Sequence, residues 1–172
     1  MPEKETIERA RRDKREGKAA STQAGEFVRE TMKHVREGKH GARSTKQAIA
    51  IGLSKARRAG VDLPPPKKGT TSEKTRRSAA TAYKAGHSGH AHKTNPRRSR
   101  AITKALKREG HSAASHAALA RRAKTQARQR SAAERHEIGK KAARTRVAHQ
   151  THAERSAIAR KAARTRRARH GR

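Results

Sequence analysis

The hexapeptide KAARTR occurs twice, at Lys141–Arg146 and Lys161–Arg166, inside a longer match of AERHEIGKKAARTR to AERSAIARKAARTR at an offset of 20 residues. Its side chains offer one kind of chemistry. Cations at close, regular spacing neutralise an array of anionic charges, and arginine also meets an oxyanion with two parallel N–H donors. The groups so arranged are Arg121, Arg122, Lys140, Lys141, Arg144, Arg146, Arg160, Lys161, Arg164, Arg166 and Arg167. A charge run is ordinarily a solvated face. Here residues 110–172 hold 18 basic residues against 3 acidic ones, and so one-sided an excess points to a polyanion.

A second constellation, EGKHGARSTKQ (Glu37–Gln47), precedes an expected helix start. There the free N–H groups and the helix dipole favour an anion, and Lys39, His40, Arg43, Ser44 and Thr45 could hold a phosphate. The alternative is a plain interhelix loop with a cap. The stretch lacks the GxxxxGK[ST] spacing of a nucleotide-binding loop, so NTP hydrolysis is not expected. Lys46, Lys55, Arg57 and Arg58, on the next helix, extend the basic surface. His87, His90 and His92 form a short imidazole cluster, but no carboxylate or thiolate stands near to complete a metal site. A His-rich polar linker is the simpler reading, and no metal or cofactor is expected. The 11 His residues would add charge as pH falls toward about 6. Paired carboxylates, a Ser-His-Asp context and a Gly-rich cofactor turn are all missing, so no enzymatic activity is expected.

The elements that position these groups read as helices. From about Thr22 to Glu37, residues Ala24, Phe27, Val28, Met32 and Val35 fall on one helical face, and Gly38 supplies a stop. A second helix begins at Ser44, with Gln47 in the place of a capping box, and ends at Gly60. It presents Ala48, Ile49, Gly52, Leu53 and Ala56, with Val61 and Leu63 able to fold back on the pair. Pro2–Glu16 reads as a charged, solvent-facing helix with little to pack. LPPPKKG (Leu63–Gly69) favours polyproline II and is expected to be a hinge. Beyond it, Thr70-x-x-Glu73 could open a helix through Tyr83 to Gly86. Asn95 and Pro96 could start another that runs to Glu109 and stops at Gly110. The rest divides into three units of about 20 residues, Ser112–Arg130, Ser131–Gln150 and Thr151–His170, the last two opening on SAAE and THAE capping boxes. Such a unit is about 30 Å long as a helix, near the roughly 34–36 Å turn of a duplex.

Composition limits what these helices can bury. Leu, Ile, Val and Phe number 15 in 172 residues, with one Tyr and no Trp, against a net charge of +33. Burial on that scale cannot offset the entropy of ordering the whole chain. Charge is also uneven: residues 1–69 carry 18 basic and 9 acidic groups, residues 70–172 carry 29 and 5. Nucleic acid is the polyanion that such a balance best fits. A membrane surface is not expected, because membrane-bound basic helices carry a bulky apolar face. The first 18 residues hold no apolar stretch of the secretory kind, and cysteine is absent, so a cytoplasmic, nucleoid-associated setting is expected.

Phe27–Gly69, with its run RSTKQAIAIGLSKARRAG, resembles a family of small basic bacterial proteins, a domain of unknown function often labelled DNA-binding. The resemblance covers about a quarter of the chain and implies a bacterial nucleoid setting. Lys55 stands where that pattern has Glu. The rear resembles the Lys/Ala/Arg-rich tails of bacterial histone-like proteins.

The expected protein is thus all-α. It has a charged N-terminal helix (1–20), a small helical module (21–63), a linker with a short helix (64–95) and basic helical repeats (96–172), the tail being largely disordered or conditionally helical. Its expected activity is sequence-independent binding of duplex DNA through phosphates, in a histone-like manner. The alternatives are RNA or ribosome association, and a protein partner or second copy docking on 21–63, which exposed apolar surface on Phe27, Ile51 or Leu53 would favour.

Overall fold

The computed structural model describes residues 2–88 and 95–170, and it is helical throughout, with no strand among them. Helices α1 (Lys4–Arg15), α2 (Ala20–Arg36), α3 (Thr45–Arg58), α4 (Glu73–His87) and α5 (Pro96–Lys107) lead to a 3₁₀ turn (Ser112–Ala114). Then come α6 (His116–Gln129), α7 (Ala132–His149) and α8 (His152–His170). Contacts divide the chain into two units, Met1–Ala123 and Lys124–Arg172.

The first unit is built on α2, which packs against both α1 and α3. Its expected apolar face is the one it buries, with Ala24, Phe27 and Val35 almost fully enclosed. One cluster gathers Ala10, Ala24, Phe27, Ala56 and Val61, with Ile7, Leu53 and Leu63 packed against it. The other gathers Met32, Val35, Ala42, Ala48, Ala113 and Ala114. Helices α2 and α3 approach so closely at Gly52 that a Cβ there would lie 2.6 Å from Val28 Cα, so only glycine fits without displacing backbone. The expected stops hold as well: Gly38 and Gly60 end α2 and α3 in the left-handed conformation.

The N-terminal helix is not the solvent-facing element its charge suggested. It buries Thr6, Ala10 and Asp13 and is stitched to α2 by an ion pair from Arg9 to Glu26 (2.6 Å) and by a hydrogen bond between His34 Nε2 and Glu3 Oε1 (2.8 Å). With Ile7 and Ala10 as its apolar contribution, polar pairs do much of the docking. Nor does Leu63–Gly69 release the helix beyond it. Helix α4 packs back on α3, buries Ala79 and Ala82, and donates from the Tyr83 hydroxyl to Asp62 at 2.6 Å. A module of two helices is thereby extended to one that α1, α4 and the 3₁₀ turn also help to enclose. Thr70 does not cap α4. Its hydroxyl donates to Lys67 O within the preceding turn, and Ser72 accepts from Thr75 N instead.

The second unit contains α7 and α8. Ser131 accepts from Glu134 N (3.1 Å) while Glu134 accepts from Ser131 N (2.8 Å), and Thr151 and Glu154 repeat the arrangement at 3.3 and 2.8 Å. Between caps the sequence is mostly Ala, Arg and Lys, all strong helix formers. The described tail is therefore helical. The first repeat copy departs from the pattern: Ser112–Ala114 is a 3₁₀ turn, and α6 starts at His116 with Ser115 accepting from Ala118 N.

Candidate nucleic-acid interface

In α7 the basic positions are Arg135, Lys140, Lys141, Arg144 and Arg146, and α8 places Arg155, Arg160, Lys161, Arg164 and Arg166 in the same register. At about 100° per residue these positions spread around the whole circumference rather than forming a stripe. Two of the three acids on these helices are used elsewhere. Glu134 and Glu154 are committed to the capping boxes, where the Thr151 amide and hydroxyl hold the Glu154 carboxyl below its ordinary range. Glu137 takes Lys140 at 3.4 Å. Arg155 donates to Gln150 O (2.6 Å) and Val147 O (3.3 Å), so this one arginine closes the carbonyl end of α7 from the first turn of α8. Lys141, Arg144, Arg146, Arg160, Lys161, Arg164, Arg166 and Arg167 are exposed and make no ion pair among the described residues. The unit from Lys124 on holds 16 Lys and Arg against 3 Glu, a net of +13. Arg121 and Arg122 lie on α6 within the first unit, the former exposed and the latter half-buried.

The front-module cations divide differently. Arg43, Lys46 and Arg58 are exposed. Arg57 is a correction: it is 7% exposed, and its guanidinium donates to Leu63 O (3.0 Å) and Pro64 O (3.2 Å). Burial lowers its pKa, and its role is to hold the proline segment against α3. Lys55 is a second correction, since its ammonium lies 2.8 Å from the fully buried carboxylate of Glu30. Lys39 is paired with Glu37 (3.1 Å) and Glu3 (3.4 Å), whose bonds raise its pKa.

The expected anion site at Glu37–Gln47 is occupied by the chain itself. Gly41 N donates to Leu106 O (2.9 Å) and Ala42 N to Gly110 O (3.0 Å). Thr45 Oγ1 donates to Ala113 O (2.6 Å), and Arg43 N to Gln47 Oε1 (2.8 Å). This last bond also explains why Ser44 caps α3 through Gln47 N (3.2 Å) without the reciprocal half of a capping box. Gly41 is required, because a Cβ would run into the Glu109 carbonyl. The loop is a docking surface for residues 106–114, and these four donors are spent within the chain, while the Arg43 side chain stays exposed.

Of the histidine cluster, His87 stacks on Tyr83 with ring centroids 4.1 Å apart, while His90 and His92 lie outside the described residues. No group of three or more metal-ligating side chains occurs among the described residues. No helix among them is long and apolar enough to cross a membrane. Phe27, whose exposure would have favoured a protein partner, is 1% exposed. Helix α5 was expected from Asn95 and Pro96, but its cations were not singled out; it exposes Arg97, Arg98, Arg100, Lys104 and Lys107 and carries no acid. The i, i+4, i+7 spacing of Arg100, Lys104 and Lys107 was the signal available.

The chain matches no curated protein and no solved structure. Residues 3–68 are similar to a family of unknown function (DUF6496), a span that takes in α1, α2, α3 and the proline segment clamped by Arg57 and names no ligand.

Proposed function

We propose that this chain binds duplex DNA without sequence preference, by laying α7 and α8 against the phosphates in a histone-like, nucleoid-associated role. The observation that carries the reading is the set of eight exposed cations on two capped helices whose acids are already committed. Cations on every side of a helix suit a groove walled by two phosphate rows, and the major groove, about 12 Å wide, admits one. Like-charge repulsion opposes these helices in free solution, and phosphates relieve it, so helicity and binding support each other. Aromatic platforms for single-strand stacking are nearly absent, with one Phe buried and one Tyr bonded to Asp62.

A salt titration with duplex DNA, single-stranded DNA and structured RNA of matched length tests this. Eight phosphate contacts predict a slope of log K against log salt of about −7 for duplex DNA, with little dependence on base sequence. Replacing Arg144, Arg146, Arg164 and Arg166 by Gln should flatten that slope by about 4. Clear preference for RNA at equal salt, or a slope that the four substitutions leave untouched, would reject the duplex reading.

A further inference from the structure

Helix α5 differs from the tail helices in how its charge is laid out. Arg100, Lys104, Lys107 and Arg108 are spaced i, i+4, i+7, i+8 and so share one face. With Ser99 and Thr103 they line a single shallow depression. No residue of α5 is buried, and none of these four cations forms an ion pair among the described residues. The helix is nonetheless anchored, because Leu106 O and Gly110 O accept from Gly41 N and Ala42 N of the α2–α3 loop. The face therefore belongs to the first unit, whereas α7 and α8 belong to the second.

From Arg100 to Arg108 the face is about 12 Å long at 1.5 Å per residue, which spans three or four phosphates at about 3.4 Å of axial rise per strand. A one-sided stripe addresses one sugar–phosphate backbone from outside, unlike an all-round cationic helix. An acidic membrane is the rival ligand for a basic amphipathic helix, but the opposite side offers Ala101, Ile102 and Ala105, with Ile102 its one exposed large apolar residue. That is too little bulk to hold a bilayer interface.

We propose that the Arg100–Arg108 face of α5 is a second phosphate-binding surface, separate from the tail, by which one chain holds a second duplex segment. It rests on the tail's binding of duplex DNA through α7 and α8. Full-length protein is bound to an immobilised short duplex, washed, and offered a labelled free duplex. The variant R100Q/K104Q/K107Q, checked by circular dichroism for unchanged helicity, should still occupy the immobilised duplex. Its capture of the free duplex should fall by about tenfold or more, since three phosphate contacts are lost. Equal capture by variant and wild type would overturn the proposal, as would wild-type protein that binds the first duplex and captures no second. Wild type that fails to bind even the immobilised duplex rejects tail binding and the second surface together. Phosphatidylserine-containing vesicles that recruit the wild type but not the variant would assign the face to membranes and overturn it.

Discussion

Lys55 Nζ stands 2.8 Å from Glu30 Oε1, and the carboxylate it meets is entirely enclosed. Glu30 Oε2 accepts from Glu3 N at 3.1 Å, and His34 Nδ1 lies 3.8 Å from Oε1. Burial opposes the charged form of Glu30. The bonds from Lys55 and the Glu3 amide outweigh it and hold the carboxyl below its usual range. Three helices thus meet at one charge. A Glu at position 55 would place a second carboxylate against the first, so Lys55 is tied to α2 and α1.

Lys55→Met should therefore destabilise the first unit by about 3 kcal/mol, the cost of leaving a buried charge without its partner. Adding Glu30→Gln in the same chain should recover most of the loss. The pH dependence separates the two proteins. In the wild type Glu30 has a folded pKa below its unfolded value of about 4.5, so its contribution is present above that value and lost as pH falls through the folded one. In Lys55→Met the strongest bond opposing burial is gone and only the Glu3 amide and Thr6 still favour the charged form, so the pKa moves up and the variant should lose less stability than the wild type as pH falls. Denaturant midpoints against pH measure this, and parallel curves would show that Lys55 does not neutralise Glu30.

Arg57 makes the opposite kind of prediction about binding. Arg57→Ala removes two charged donors from Leu63 O and Pro64 O and opens a space under the proline segment. The expected cost is about 2–4 kcal/mol. Lys at this position reaches one carbonyl at best and should recover only part. Because the guanidinium is buried, the salt slope for duplex binding should be unchanged in both variants, measured below their unfolding temperatures. A flattened slope would make Arg57 a phosphate ligand after all.

Why Lys55 reads as a surface cation while Ser131 and Thr151 read correctly is a matter of range. A cap is local: the hydroxyl, the amide three residues on and the returning Glu all lie within one turn, so SAAE and THAE carry their own structure. The burial of Ala24, Phe27 and Val35 was equally legible, since spacing alone puts them on one face. A partner 25 residues away, as Glu30 is for Lys55, leaves no mark in the neighbourhood of either. The fold-back of residues 106–114 was the least visible feature. It is made by backbone carbonyls meeting Gly41 N, Ala42 N and the Thr45 hydroxyl, while the side chains it buries, Ala113 and Ala114, look like any other alanine of the repeats.

The two tail copies differ at one position that bears on how far the tail is helical without its ligand. Gly139, inside α7, aligns with Ala159 of α8, and a methyl added at Gly139 meets nothing within 4 Å. Gly to Ala in an exposed helix interior is worth about 1 kcal/mol, and it changes neither charge nor contacts. If α7 orders on binding, Gly139→Ala should raise the free protein's helical circular dichroism at low salt. Duplex binding should then tighten by about fivefold, with the salt slope unaltered because no phosphate contact is gained. Ser131→Ala, which removes the cap of the same helix, should move both readouts the other way by a similar amount. Unchanged helicity and unchanged affinity in both variants would mean that α7 is fully formed before it meets phosphate, and that its ordering contributes nothing to the binding equilibrium.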